Sequence, residues 1–163
     1  MPIVPYDRAA AIQYAHQWAY ARNPRYFNFE DIGGDCTNFA SQVLFAGAKV
    51  QNTAPNGWYY HTVADRAPAW TGVRFLEAFL CGNHSRGPFA LRCGLQTLQP
   101  GDLVLLQTTG VSLHHAAVVV AVEAAASAET VWVAAHSEDC DNRPLAAYAV
   151  RSLCPLHILG VRQ

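Results

Sequence analysis

Charged residues are scarce in this sequence, and the signals of several protein classes are absent. Asp, Glu, Lys and Arg together make up 14% of the 163 residues, the net charge is −1, and hydrophobic residues make up 52%. So apolar and nearly neutral a chain does not have the composition of a disordered protein. It also lacks the basic residues interleaved with aromatic ones that nucleic-acid binding requires. We therefore expect a folded domain with a small or polar partner and no nucleic acid.

Long apolar runs are missing too. No segment reaches the roughly 20 consecutive apolar residues that a membrane-spanning helix needs. The first residues, MPIVPYDR, have neither the basic nor the apolar region of a signal peptide. We therefore expect no membrane span. The protein should be cytoplasmic if the chain is complete, and exported if the chain is a domain excised from a longer protein.

Closely spaced cysteine pairs are also absent. The five cysteines contain no Cys-x-x-Cys pair, which weakens the case for zinc because structural zinc sites usually draw on such pairs. The segment 136–142, HSEDCDN, is rich in possible ligands but is also typical of a polar loop that ends in turn residues. An odd number of cysteines leaves at least one free thiol in a monomer. The cysteines are Cys36, Cys81, Cys93, Cys140 and Cys154, and the disulfide state of the last four stays open.

The front of the chain has helical patterns. A helix is predicted from Arg8 to about Arg22, with Asp7 as its N-cap and a proline shortly after its end. A second helix is predicted from Cys36 to Gly47, and a third over residues 70–80. The length suits one hydrophobic core, and there is no internal repeat or low-complexity linker, so residues 1–163 should form a single domain.

The back of the chain has strand patterns. Val, Leu, Ile and Ala dominate residues 103–107, 115–122, 130–135 and 156–161. The connection 123–129 is short enough for a hairpin, so the second and third of these strands should be neighbours. Helices followed by a small curled antiparallel sheet make an α+β fold.

Cys36 lies at a helix start that could activate a thiol. The positive end of a helix dipole stabilises a thiolate, and the first backbone N–H groups of a helix can bind an oxyanion. Asp35 is expected to cap this helix, and its charge opposes thiolate formation, so a histidine must supply much of the activation. Asn38 and Ser41 are expected to face solvent or a neighbouring loop. The alternative is that Cys36 is a small buried core residue.

The predicted hairpin brings histidines together. His115 and His136 lie almost equally far from the centre of the 123–129 connection, so they should be near-opposite and share a face of the sheet. A change of one residue in register would bring in His114 instead. The spacing leaves the choice between His114 and His115 open. A solvent-facing or locally bonded histidine is the alternative for either one.

Three consecutive aromatic residues, Trp58, Tyr59 and Tyr60, cannot all face one core from an extended segment. At least one should be exposed, where it could stack on a sugar or a peptide. Core packing is the alternative for Trp58 and for Trp70.

These motifs resemble a known family across nearly the whole chain. The chain resembles the bacterial putative amidase domain family, a branch of the papain-like cysteine hydrolases that includes the NlpC-type and CHAP-type cell-wall enzymes. The resemblance implies a papain-like fold and a cysteine amidohydrolase or peptidase acting on peptidoglycan stem peptides. The residues that carry it are 6–10, 14–15, 18–19, 22–24, 33–42 (GGDCTNFASQ), 57–60 (GWYY), 70, 100–102 (PGD) and 135–136.

The resemblance also implies a catalytic set. The family's order of a helix cysteine, a histidine at a strand start and a polar residue on the next strand matches Cys36, His115 and His136. Small and apolar residues follow His115, as in the family, which favours it over His114. The third position varies in the family, so Asp139 is an alternative to His136.

The implied mechanism is acyl transfer to water. Cys36 attacks an amide carbonyl, His115 protonates the departing amine and then activates water, and His136 orients His115. This chemistry requires no metal or organic cofactor. We expect Cys36 to be the most reactive cysteine. The predicted substrate contacts are Asp35, Trp58, Tyr59 and Tyr60.

Two other functions stay open. One is a cysteine acyltransferase, in which an amine replaces water. The other is a catalytically idle module that binds cell wall or peptide. An idle module would tolerate the loss of the Cys36 thiol, whereas either enzyme would not. The oligomeric state cannot be read from the sequence.

Overall fold

The computed structural model describes residues 1–163 as four α-helices and a seven-stranded antiparallel sheet. The α+β prediction for a single domain is confirmed. The sheet order is β1-β7-β3-β4-β5-β6, and β2 pairs with β7 as well. The helices are α1 (Arg8–Trp18), α2 (Cys36–Ala48), α3 (Pro68–Thr71) and α4 (Val73–Gly82). The strands are β1 (Ile3–Val4), β2 (Gly87–Arg92), β3 (Leu103–Gln107), β4 (His115–Val122), β5 (Val131–Ala135), β6 (Cys140–Pro144) and β7 (Ser152–Arg162).

None of the helices has the length and apolar character that a membrane crossing requires.

The first helix begins where the sequence predicts. Asp7 caps α1, because its Oδ1 accepts a hydrogen bond from the backbone N–H of Ala10 at 3.0 Å. The helix ends at Trp18, earlier than the predicted end at Arg22. The backbone carbonyls of the last turn, near residue 18, therefore have no partner within the helix and can accept hydrogen bonds from other elements.

The second helix does not stop at Gly47 as predicted. It continues to Ala48, and Lys49 ends it in the left-handed conformation with φ 62°. Gly47 instead allows α1 and α2 to approach closely, because a Cβ there would collide with the ring of Tyr6. The backbone N–H of Asp7 donates to the Gly47 carbonyl at 3.1 Å.

The polar face of α2 is buried, so Asn38 and Ser41 do not face solvent but bond neighbouring loops, which is the other position that the sequence predicts. Two tryptophans explain why. The indole N–H of Trp70 donates to Asn38 Oδ1 at 2.9 Å, and that of Trp58 donates to Ser41 Oγ at 3.0 Å. A buried indole N–H requires an acceptor, and these side chains supply it. Trp58 is fully buried and packs on Trp70, which contradicts its predicted contact with substrate and fits the alternative of core packing.

The predicted third helix is two helices. Gly72 separates α3 from α4 in an extended conformation, with φ −120° and ψ 123°.

The sheet separates two apolar clusters. β3 and β4 have the predicted bounds, and β4 and β5 are neighbours as predicted. Ala116 and Val118 of β4 pack into the main core with α2, whereas Ala117 and Val119 pack into a second cluster on the opposite face. The two faces of β4 therefore lead to different sides of the molecule, and this determines where the histidines point.

Candidate active site

Two glycines turn the chain into the start of α2. Gly33 and Gly34 have φ of 92° and 95°, in the region that favours glycine. The backbone N–H of Asp35 then donates to Ser137 Oγ at 3.0 Å. This contact fixes the turn before α2 against the loop after β5.

Cys36 follows this turn as the first residue of α2. Its side chain is buried, and Sγ lies 3.9 Å from the backbone oxygen of His114. The thiol therefore lies against the backbone that enters β4. The first intrahelical bond runs from the N–H of Phe39 to the oxygen of Asp35, so the N–H groups of residues 36–38 precede it and have no partner within the helix.

Burial disfavours the thiolate form of Cys36. Burial raises its pKa above the ordinary value, and hydrogen bonds from the backbone of Ala116 and from Thr37 offset this only in part. The charge of Asp35 also raises this pKa, in line with the expectation that the helix start alone does not activate the thiol. Activation of this thiol would require a base.

The candidate base is His115, the first residue of β4. Its ring lies 5.5 Å from that of Tyr148, between centroids. Burial, with smaller effects from His114 and Arg143, lowers the pKa of His115 to about 4. Nε2 is buried without a hydrogen-bond partner. Such an atom typically costs about 1–3 kcal/mol, so it suggests a functional reason.

No hydrogen bond joins Cys36 Sγ to the His115 ring; the thiol contacts the carbonyl oxygen of His114 instead. The side chain of His114 is exposed and bonded locally. Its Nε2 lies 3.1 Å from Thr108 Oγ1, and its Nδ1 lies 3.3 Å from the oxygen of Ser112.

His136 does not contact His115, so the predicted hydrogen bond between them is wrong. Its Nδ1 lies 2.6 Å from Asp35 Oδ2 and its Nε2 lies 2.8 Å from the backbone oxygen of Trp18. The ring is buried and stacks on Phe39, with centroids 4.1 Å apart.

The strand register explains the error. Val118 pairs with Ala134. Two residues further towards the start of β4 and past the end of β5, the same register places Ala116, not His115, opposite His136. A shift of one residue moves a side chain to the other face of a sheet.

Asp35 is fully buried, which contradicts its predicted contact with substrate. Its side chain does not cap α2 either. Oδ1 accepts from the N–H of Phe29 and from Asn38 Nδ2, both at 2.9 Å, while Oδ2 faces His136. Burial alone would raise the pKa of Asp35, but the hydrogen bonds from His136, Phe29 and Asn38 outweigh it and lower the pKa.

The other predicted residues lie elsewhere. Asp139 receives two hydrogen bonds from Arg22, at 2.8 and 2.9 Å, so it is not placed to orient His115. Tyr60 Oη accepts from the N–H of Phe27 at 2.9 Å. Tyr59 and Tyr60 are partly exposed, and neither lines the cleft at His115. Their contact with substrate stays a prediction.

A cleft of about 440 Å³ opens beside His115. Arg143 is the single lysine or arginine in its lining, with its guanidinium 4.3 Å from the Tyr148 ring centroid and 3.7 Å from Glu138. Sequence reasoning missed Arg143 and Tyr148, because β6 and the turn after it have no apolar pattern. A larger cavity of about 630 Å³ beside α4 contains neither Cys36 nor His115. The cleft is lined by Glu30, Thr108, His114, His115, Ser137, Glu138, Arg143, Ala147, Tyr148 and Ala149.

Comparison with known proteins gives a family match. A family model described as a "Putative amidase domain" matches residues 5–158. "Uncharacterized protein YhbB" of Bacillus subtilis (strain 168) is 36% identical to this chain over 121 residues. That match covers 71% of this chain but only 37% of the relative. No solved structure matches the chain.

Proposed function

This chain belongs to the putative amidase domain family, and from that premise we propose that it hydrolyses an amide bond with Cys36 as nucleophile and His115 as base. One observation carries the proposal. Nε2 of His115 is buried without a partner at the start of β4, beside the backbone that the Cys36 thiol contacts. Cysteine catalysis needs a thiol and an imidazole nitrogen that is free to take a proton, and Cys36 and His115 supply these two parts.

The first half of the proposed reaction forms a thioester. Neutral His115 takes the thiol proton as Cys36 Sγ attacks the amide carbonyl carbon. The N–H groups at the start of α2 stabilise the negative oxygen of the tetrahedral intermediate. The C–N bond then breaks, and His115 gives its proton to the departing amine. Alternation along β4 puts His115 on the face of Ala117, beside Tyr148, so productive geometry requires its ring to move to within hydrogen-bond distance of the thiol.

The second half consumes water. His115 removes a proton from a water molecule, which attacks the thioester carbonyl. The C–S bond breaks, the carboxylic acid leaves, and the proton returns to Cys36. No metal or organic cofactor enters this scheme.

We propose further that residues 1–163 form one catalytic domain of the papain-like type shared by NlpC-type and CHAP-type enzymes. The order of a cysteine at a helix start and a histidine at a strand start supports this. The third position departs from that pattern, because His136 bonds Asp35 instead of His115.

The proposed substrate is a peptidoglycan stem peptide or a related acidic peptide. The resemblance to cell-wall enzymes supports the class. The cleft adds a local reason: Arg143 donates to the Ala147 carbonyl at 3.4 Å, but its one ion pair, with the exposed Glu138, is loose at 3.7 Å and can be exchanged for a substrate carboxylate.

Digestion of purified cell wall tests the reaction class. We expect new amine and carboxylate ends among the released fragments, identified by mass spectrometry. Release of reducing sugar ends would contradict amide cleavage. Binding to the wall without release would indicate the idle module, and formation of a new amide with an added amine would indicate an acyltransferase.

Arg143→Gln should raise KM for an acidic peptide by about 10-fold and change kcat little, because it removes a charged hydrogen bond to the substrate. Steady-state kinetics with the acidic peptide and with its amidated form measure this. The matched control is Arg151→Gln, since Arg151 lies outside the cleft lining. Equal losses for the charged and the amidated peptide would contradict carboxylate recognition.

The protonation of His115 predicts a pH effect on stability. Its pKa is lowered from 6.5 to about 4 in the folded protein, so the unfolded chain binds more protons between these pH values. The contribution is present above about pH 6.5 and is lost as the pH falls through about 4, a total of about 3 kcal/mol. Denaturant unfolding from about pH 7 to pH 4 should therefore show a smaller loss for His115→Gln than for the wild type. Identical pH profiles would contradict a buried neutral imidazole.

A further inference from the structure

We infer that His136 is a doubly protonated positioning residue that ties α1, α2 and β5 together and fixes the helix start where Cys36 lies. Its effect on catalysis rests on the proposed function. Its protonation state and its effect on the Cys36 environment do not.

The two hydrogen bonds of His136 both end on acceptors. Nδ1 faces the carboxylate of Asp35 and Nε2 faces the backbone carbonyl of Trp18, at 2.6 and 2.8 Å. A carboxylate and a carbonyl can only accept, so both ring nitrogens must carry a proton. Neutral imidazole has one N–H and would leave one of these buried contacts unmade.

The proton between the two side chains belongs to His136 and not to Asp35. Asp35 Oδ1 already accepts from two N–H donors, which favours a carboxylate. Asp35 also precedes the positive end of α2, while the Trp18 carbonyl belongs to the negative end of α1. The helix ends therefore favour an anion at Asp35 and a cation at His136.

The charged groups around Asp35 also favour a cation at His136. Arg22 Nε lies 3.5 Å from Asp35 Oδ2 and brings a second positive charge to the site. Arg22 is itself paired with Asp139, at 2.8 Å, and with Glu30, at 3.2 Å. Three carboxylates thus face one guanidinium, so the negative charges outnumber the positive charge and favour an imidazolium at His136. From α2, the uncharged ring of Phe39 covers the other side.

The position of this cluster explains why it matters. Asp35 is bonded directly to Cys36 in the chain, Trp18 is the last residue of α1, and His136 follows β5. Loss of the extra proton would break one of the two bonds and loosen the start of α2. The thiol of Cys36, a residue that is 7% exposed, would then become more accessible.

Nitrogen-15 NMR of the histidine rings of the wild-type protein tests the protonation directly. Near neutral pH, we expect His136 to show both ring N–H protons and two nitrogen shifts typical of imidazolium, with assignment from their loss in His136→Gln. A single ring proton, or an unprotonated Nδ1, would overturn the inference. This readout does not depend on any catalytic activity.

Labelling of Cys36 tests the positioning role. His136→Gln should increase the rate of Cys36 alkylation by about 10-fold, because local opening exposes the thiol. It should also lower Tm by about 6–20 °C, since a buried ion pair loses one partner. His157→Gln is the matched control, because His157 also bonds a buried aspartate, Asp102, at 2.7 Å but lies on β7, opposite Leu91 of β2, and not at the start of α2.

The control should lose stability without changing Cys36 labelling. Equal labelling rates in both variants would overturn the positioning role. The wild-type protein could show the expected NMR and labelling results and yet cleave no amide. In that case the proposed function fails while this inference stands.

Discussion

Cys36→Ala is expected to lower the rate of amide hydrolysis by about 10⁴-fold or more, because it removes the nucleophile that forms the acyl intermediate. The backbone N–H groups at the start of α2 remain, but they cannot act without an attacking atom. The measurement is kcat/KM for release of an amine from a defined stem peptide. Cys36 is buried, so Tm should be measured alongside to show that the variant is folded.

Cys81→Ala is the control for this result. Cys81 is a free thiol on α4, half-buried against the main core, and belongs neither to the start of α2 nor to the start of β4. It should keep nearly full activity. Retention of activity in Cys36→Ala, or an equal loss in both variants, would contradict the nucleophile assignment.

His115→Ala is expected to reduce turnover by about 100-fold or more, the scale of losing a general base. Because burial raises the pKa of the Cys36 thiol, the proposed reaction needs a proton acceptor, and His115 offers a buried, unpaired nitrogen. His114→Ala should cost little, because that ring is exposed and bonded to Thr108. Steady-state kinetics on the same peptide rank the two variants.

The reverse ranking would make His114 the base. Small and equal losses would show that neither histidine takes the proton. Activity of the wild type should also fall as the pH drops through about 4, where His115 becomes protonated, provided that the protein stays folded.

Strong local patterns made part of this fold predictable. The bounds of β3 and β4 match the apolar runs in the sequence, and Asp7 caps α1 as its residue type suggests. Cys36 is the first residue of α2, as predicted. In each case neighbouring residues in the sequence determine the outcome, through backbone propensity or one short-range hydrogen bond.

The partner of His136 could not be predicted in this way, because it depends on sheet register. The pairing of β4 with β5 shifts between Val119 and Ala121, at a β-bulge. A bulge changes the count of opposed residues by one, and the apolar pattern of a strand buried on both faces does not reveal it. The symmetric hairpin count therefore placed His136 on the wrong face relative to His115.

The burial of Asp35 and Asn38 was also beyond local reasoning. Polar residues on a helix usually mark its exposed face. Here they accept hydrogen bonds from groups that are distant in the sequence, the His136 ring and the indole N–H of Trp70. Only the packed structure shows which buried donors need these acceptors.

Peptide mapping of the protein, acid-quenched during turnover at saturating substrate, tests the central claim most directly. The account predicts an acyl group of the substrate's mass attached to Cys36 as a thioester, because the attack and the hydrolysis are separate steps. An acyl group on another residue, or turnover in which Cys36 never carries one, would contradict it.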